Sequence, residues 1–341
     1  MTRRFIAPAA LALAALSLAT PAEARDQIRV VGSSTVFPFA TAVAEEFGMT
    51  SGFKTPVVES TGTGGGFKLF CSGVGVDFPD ISDASRRITK SEVDSCVKNG
   101  VAQITEVRIG FDGIVLANSV KAKHFDLSRK QLYLAMAKQV PQKGQLVPNP
   151  YKNWNEIDPK LPAQKIVVFG PAPNHGTRDA LVDLVMTPGC SKFPEIAKLE
   201  GDAKKAACEA IREDGAFVEV SESYNVTLEK LVQDPNAVGV FGFSYYDNNR
   251  DKVQASTIEG EDASFETISS EKYAVSRYLY IYVKNAHAGA IPGIKEFVAE
   301  FTSDKAWGPN GYLADKGLIP LPDVDRKAEA EKAKNLSPLA M

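Results

Sequence analysis

Four cysteines and three histidines are all that 341 residues provide, and no two cysteines stand in a Cys-x-x-Cys pair. Zinc sites draw on closely spaced cysteine and histidine, so the supply of ligands argues against one. No basic tract is present. Lys and Arg number 39 against 42 Asp and Glu, a net charge of −3, which makes nucleic acid and anionic membranes poor partners. Beyond the first two dozen positions no segment is apolar enough to span a bilayer. The glycine-rich stretch GTGGGFKL resembles a phosphate-cradling loop, but Phe67 precedes Lys68 and Leu69 follows it. The Gly-Lys-Ser/Thr of a nucleotide loop is therefore missing, and the dinucleotide fingerprint fails in register. No nucleotide or other cofactor is expected. There is no repeat at a fixed period and no linker between consecutive domains, so two lobes would have to be interleaved.

What is present starts with a leader. MTRRF carries positive charge, IAPAALALAALSLA is apolar, and Ala22-Glu23-Ala24 fits the small-x-small rule for cleavage before Arg25. Residues 1–24 read as a secretory signal peptide, with the mature protein soluble in the periplasm. No cysteine near the cleavage site offers a lipid anchor. Losing Arg3, Arg4 and Glu23 moves the net charge from −3 to −4. An anionic ligand would then have to be held by local dipoles and hydrogen bonds. An even number of cysteines suits an exported chain. Of three possible pairings, Cys71–Cys96 with Cys190–Cys208 closes two short loops and is preferred.

At 44% hydrophobic the chain can build a sizeable core. IRVVG, TPVVES, QKIVVFG, AVGVFG and YAVSRYLYIYVK read as strands. ITEVRIGFDGIVLANS holds two strand-like runs. Helical spacing appears in Phe37, Ala40, Val43, Ala44 and Phe47, in a helix from about Thr89, in SRKQLYLAMA capped by Ser128, and in TRDALVDLVM. Alternation of strand and helix predicts an α/β fold with mainly parallel sheets. The polar tail after Pro322 reads as loosely held.

Three segments share a grammar of β-run, small-residue turn, hydroxyl and helix: IRVVG-SSTVF, PVVES-TGTGGGF and KIVVFGPAPN-HGTRDAL. A helix N-terminus has unpaired amides and partial positive charge, and it accepts a small oxyanion. The plainer reading is helix capping by Ser or Thr, with Ser34 or Thr35 as the first cap. Arg178 can fork onto two ligand oxygens, or pair on the surface with Asp179 or Asp183. Asp83, in DISDASR, is either an ordinary turn residue or an acceptor facing the anion. An ionised carboxylate only accepts hydrogen bonds. It would favour an oxyanion that still carries a proton, hydrogen phosphate over sulfate.

GSSTVFPF, ESTGTGGGF, DISDASR, GFDGIVLA, LSRKQLYLAMA, NPYKNW, GTRDA and GVFGFSYY, in this order, resemble the phosphate-binding proteins of bacterial high-affinity phosphate ABC transporters. The resemblance covers about 28–318. It implies a two-lobed type II periplasmic binding protein fold with a ligand cleft between lobes, phosphate as ligand, and delivery to permease subunits in the inner membrane. The chain would act as a monomer, without catalysis. The lobes are expected at about 25–115 plus 255–341, and at 116–254. Carried over by position, the ligand contacts fall at Ser34, Thr35, Val36, Phe37, Thr63, Asp83, His175, Gly176 and Thr177. The family usually has Ser where His175 stands, and Pro171 and Pro173 replace an arginine and an aspartate found in some members. The arginine role then passes to Arg178. Arg86 joins the set on its charge and its nearness in sequence. The alternatives are a binder of a related oxyanion, an exported phosphatase using His175 and Asp179, and a matrix-binding protein that keeps the fold without transport.

Overall fold

The structure, a computed structural model, describes residues 25–173, 176–220 and 224–339. The expected leader and His175 lie outside them.

The chain begins as the alternation suggests. β1 (Arg29–Gly32), α1 (Phe37–Thr50), β2 (Val57–Ser60), α2 (Thr63–Phe70), β3 (Ile81–Ala84) and α3 (Lys90–Lys98) follow one another, and β1 pairs in parallel with both β2 and β3. α1 turns Phe39, Ala40, Val43, Ala44 and Phe47 inward, so its buried stripe takes Phe39 where Phe37 was expected. α3 opens on a reciprocal cap between Thr89 and Glu92, and α4 (Arg129–Met136) on one between Ser128 and Gln131. Each such cap is worth about 1 kcal/mol.

The two runs of ITEVRIGFDGIVLANS form one long strand, β4 (Ile104–Ser119). The other strands of the main sheet are β5 (Val168–Pro171), β6 (Phe217–Val220), β7 (Val238–Gly242), β8 (Val253–Ala255) and β9 (Ser276–Lys284). The order is β2-β1-β3-β9-β4-β7-β5-β6, with β8 also on β4. The sheet is parallel at its ends, but antiparallel where β9 meets β3 and β4 and where β4 meets β7 and β8. The expectation of mainly parallel sheets thus fails at the centre, for a reason of direction. β4 carries the chain from one core to another and β9 carries it back, so these neighbours run in opposite senses.

The two cores are distinct in residue membership. One packs Ile28, Val30, Phe39, Phe47, Ile81, Val107, Ile109, Leu279, Ile281, Phe297 and Trp307, with a satellite around Phe67, Phe70 and Tyr282. The other packs Phe111, Val115, Tyr133, Trp154, Val168, Leu181, Val240, Phe241, Tyr273 and Val275. β4 therefore changes core between Ile109 and Phe111, and β9 lies where the chain passes back, between Val275 and Leu279. At the same level the register of β9 on β4 shifts, because Leu279 faces Gly110 while Tyr280 faces Arg108. The resulting bulge increases local twist where the cores meet. A third segment reaches this level: Phe111 and Ile319 exchange backbone hydrogen bonds of 2.7 and 3.1 Å.

The disulfides are Cys71–Cys96, joining the end of α2 to α3, and Cys190–Cys208. The tail departs from expectation. Asp323–Lys334 is a helix packed on β4, with Arg326, Glu329 and Ala333 buried. Its polar residues are engaged: Glu329 accepts from the Arg108 amide at 3.1 Å and from Arg108 Nε at 2.8 Å. Arg326 reaches the Leu321 carbonyl and two aspartates, Asp304 and Asp323. A composition rich in Lys, Glu and Asp concealed a helix held by ion pairs.

Candidate functional site

The C-terminal ends of β1 and β3 and the N-terminus of α2 converge on one side of a cavity of about 890 Å³, and the helix Gly176–Leu181 with its continuation lies on the other. The floor comes from the start of β9, at Ser276, Arg277 and Tyr278. Two glycines make the first wall possible. A Cβ on Gly66 would sit 2.5 Å from Gly32 Cα, and one on Gly32 would meet the Asp83 carbonyl at 2.1 Å. These glycines let α2 rest on the end of β1, and let β1 close on β3.

Each wall carries hydroxyls. From the first come Ser34, Thr35, Thr63 and Ser85. Thr63 Oγ1 accepts from the Ser85 amide at 3.1 Å and lies 3.1 Å from Ser85 Oγ. The N-cap of α1 is Val36, with no side-chain cap, where Ser34 or Thr35 was expected, and Ser33 closes the turn before it. Ser33 Oγ accepts from the amides of Thr35 and Val36, and the Ser33 carbonyl accepts from Phe37. The backbone donors expected at Thr35, Val36 and Phe37 are thus turned onto Ser33. The side chains of Ser34 and Thr35 are left to reach across: Ser34 donates to Asp179, on the facing helix, and Thr35 Oγ1 accepts from Arg277 Nη2 at 3.1 Å. Gly176 closes the approach, since a Cβ there would lie 3.2 Å from Thr35 Cα. Thr177 is buried and shares a hydrogen bond with Tyr224.

Asp83 lies directly behind this wall. It is 1% exposed, its carbonyl accepts from the Ser33 amide at 3.1 Å, and its Oδ1 has no partner among the described residues. Burial pushes its carboxyl well above the ordinary range. Ser82 beside it is fully buried, with an equally unpartnered hydroxyl.

The arginines divide. Arg86 lines the cavity but forks onto Glu92 at 2.8 and 2.9 Å, an ion pair that raises its pKa. Arg178 is turned elsewhere. It donates to the Pro171 carbonyl at 2.9 Å and to Glu219 at 3.1 Å, with its guanidinium over the Phe217 ring. Neither Asp179 nor Asp183, the sequence neighbours considered for it, is its recorded partner. Those two serve Ser34 and Arg277. Arg277 was not among the expected residues. The signal was available: YAVSRYLYIYVK is a strand of aromatic and branched residues interrupted by one early arginine. Arg277 Nη1 donates to Asp183 at 2.8 Å, and its Nε lies 3.4 Å from Asp112. Burial raises the Asp112 carboxyl, and Arg277 pulls it the other way.

Lining acids outnumber lining bases. Asp179, Asp183, Glu209 and Glu271 face the cavity against Arg86 and Arg277. A bound anion would gain little from the net field and must rely on aimed donors. No group of His, Cys, Asp and Glu among the described residues is placed to hold a metal ion.

Comparison with known proteins gives concordant results. A family model described as a PBP superfamily domain matches residues 18–305. Protein SphX of Synechocystis is 30% identical over 328 residues, covering 94% of this chain and 86% of that protein. A phosphate-binding protein PstS of Staphylococcus saprophyticus is 26% identical, covering 90% and 84%. Among solved structures, a possible phosphate-binding protein from Planctomyces limnophilus superposes with a TM-score of 0.74 at 25% identity, covering 91% of this chain and 98% of that one.

Proposed function

This chain belongs to the PBP superfamily and is homologous to the phosphate-binding proteins of ABC transporters, and on that premise we propose that it binds inorganic phosphate in the cleft and delivers it to an ABC permease. The superfamily is one of substrate-binding proteins, not catalysts. The observation that carries the ligand is the gathering of the Ser33, Ser34, Thr35, Thr63 and Ser85 hydroxyls along one wall of the cavity, with the buried Asp83 bonded through its carbonyl to Ser33 and its Oδ1 without a partner among the described residues. In this reading Ser34, Thr35, Thr63, Gly176 and Thr177 supply donors. The carboxylate of Asp83 accepts the hydrogen that hydrogen phosphate retains. Sulfate brings no such hydrogen, so the same carboxylate repels it. The Val36 and Phe37 amides contribute if they leave Ser33 when the ligand arrives. His175 belongs to the proposed set by its place in the sequence alone.

The proposed lobes are 25–115 plus 255–341, and 116–254. Core membership favours moving the second crossing to about 275, because Ile258, Ile268, Tyr273 and Val275 pack with the 111–253 residues. The relatives' family works outside the cytoplasm, and we extend this to cleavage before Arg25. The side chain of Arg25 docks on Asp80 at 2.8 Å and on the Phe78 carbonyl at 3.1 Å, so a chain that starts there keeps its first anchor.

The test is calorimetric titration of protein stripped of ligand by unfolding and refolding. Phosphate should bind one to one and tolerate excess sulfate. Absence of phosphate binding, or its loss to sulfate, would refute the reading.

A further inference from the structure

The cleft needs a cation that the sequence did not single out, and the geometry points to Arg277 as the ligand that grips the anion, with Asp183 as its built-in competitor. This rests on the reading of the cleft as an anion site. Three observations carry it. Arg277 lines the cavity floor with its side chain only 11% exposed, while Arg178, the residue expected in this role, is committed to Glu219 away from the lining. One guanidinium nitrogen of Arg277 already contacts the Thr35 hydroxyl, on the loop expected to hold the ligand. Its Nε is buried, with Asp112 3.4 Å away. Arg277 is thus anchored from below through Nε, with Nη1 and Nη2 turned to the walls of the cavity.

The partners of Arg277 explain how the site can both keep and release such a group. Asp112 faces it across the β4–β9 ladder and is deeply placed, so it fixes the guanidinium at the junction of the two cores. Asp183 is different. It is 57% exposed, sits on the opposite wall, and takes Nη1 at 2.8 Å. The Asp183 carboxylate keeps much of its hydration, so it returns to water readily when a phosphate oxygen takes its place on the guanidinium. The planar fork that now spans Asp183 and Thr35 would then span the ligand and Thr35. Asp179, on the same wall as Asp183, repeats the arrangement: it takes the Ser34 hydroxyl that the ligand would otherwise engage. Carboxylates of the second wall thus occupy hydrogen-bond donors of the floor and of the first wall.

The test measures affinities for phosphate, sulfate and arsenate by calorimetry in the wild type and in Arg277→Ala, Arg277→Lys, Asp183→Asn and Arg277→Ala/Asp183→Asn, each with a thermal melt to confirm folding. Arg277→Ala should weaken phosphate binding about 100-fold, and Arg277→Lys should recover part of that loss without restoring the fork. Asp183→Asn should tighten binding several-fold, and the double variant should lose this gain, a pattern that a structural ion pair would not give. Wild-type affinity in folded Arg277→Ala would overturn the assignment while leaving phosphate binding intact. A wild type that ignores phosphate but binds another of the three anions through Arg277 would overturn the phosphate reading and support this one. Binding of none would overturn both.

Discussion

At the residue scale the decisive groups are polar ones placed where water cannot reach them. Asp83 is the sharpest case. Its native pKa lies above its unfolded value, so the native protein holds the extra proton between the two. Stability without ligand is therefore lost as pH rises through that window, and Asp83→Asn should flatten this slope in urea titrations run upward from the ordinary carboxylate range. The same shift predicts ligand choice. As pH falls through its raised range Asp83 acquires a proton of its own and becomes a donor, so sulfate should compete better on the acid side of that range than above it. In Asp83→Asn the phosphate-to-sulfate ratio should be low and nearly independent of Asp83's titration, read by calorimetry with excess sulfate. Lys284 runs the opposite way. It is fully buried, donates to the Gly73 carbonyl at 2.6 Å, lies near the Phe70 and Phe78 rings, and is pushed down to about 8 by desolvation. The unfolded chain then holds the extra proton between about pH 8 and the ordinary lysine value, so this residue's contribution to stability rises with pH there. Lys284→Met should abolish that rise between pH 8 and 10 in denaturant titrations.

At the scale of elements, local grammar was readable and long-range commitments were not. The helix start at about Thr89, the cap at Ser128, the β-runs and the preferred disulfides rest on neighbouring residues or short loops, and each stands in the structure. The expected side-chain cap of α1 is absent: Val36 stands at the N-cap, and Ser33 closes the turn before it, a choice that Ser33, Ser34 and Thr35, all hydroxyl residues, do not reveal in sequence. Arg178 and Arg277 show the larger limit. The partner of the first is Glu219, 41 positions on, and the contact of the second with Thr35 spans 242 positions. No periodicity reports such distances. The C-terminal helix was missed because its stabilising contacts lie with Arg108, 221 positions from Glu329. Glu329→Ala should leave Arg108 without its best-buried acceptor and cost about 2 kcal/mol, seen as a lower urea midpoint. Replacing Cys71 and Cys96 together by Ala should cost about 3 kcal/mol, most visible in hydrogen exchange of α2 and α3.

At the scale of the molecule, the site exists because two cores meet at a junction crossed by few strands. The hydroxyls on one wall and the acids on the other come from separate packing units, and Arg277 comes from the strand that passes between them. The junction contains β4, β9 and the segment around Ile319, tied to Phe111 by a pair of backbone hydrogen bonds. Two paired strands with a third segment bridged alongside bend more easily across their common plane than they shear within it or twist about their length. Any relative motion of the cores is therefore expected to run close to a single coordinate, as for a door on a row of hinges rather than a ball in a socket. One distance, such as that between labels at exposed Met49 and exposed Val232, should then define the whole conformational state. Added phosphate should move that distance along one line, without the scatter that independent rotations would produce.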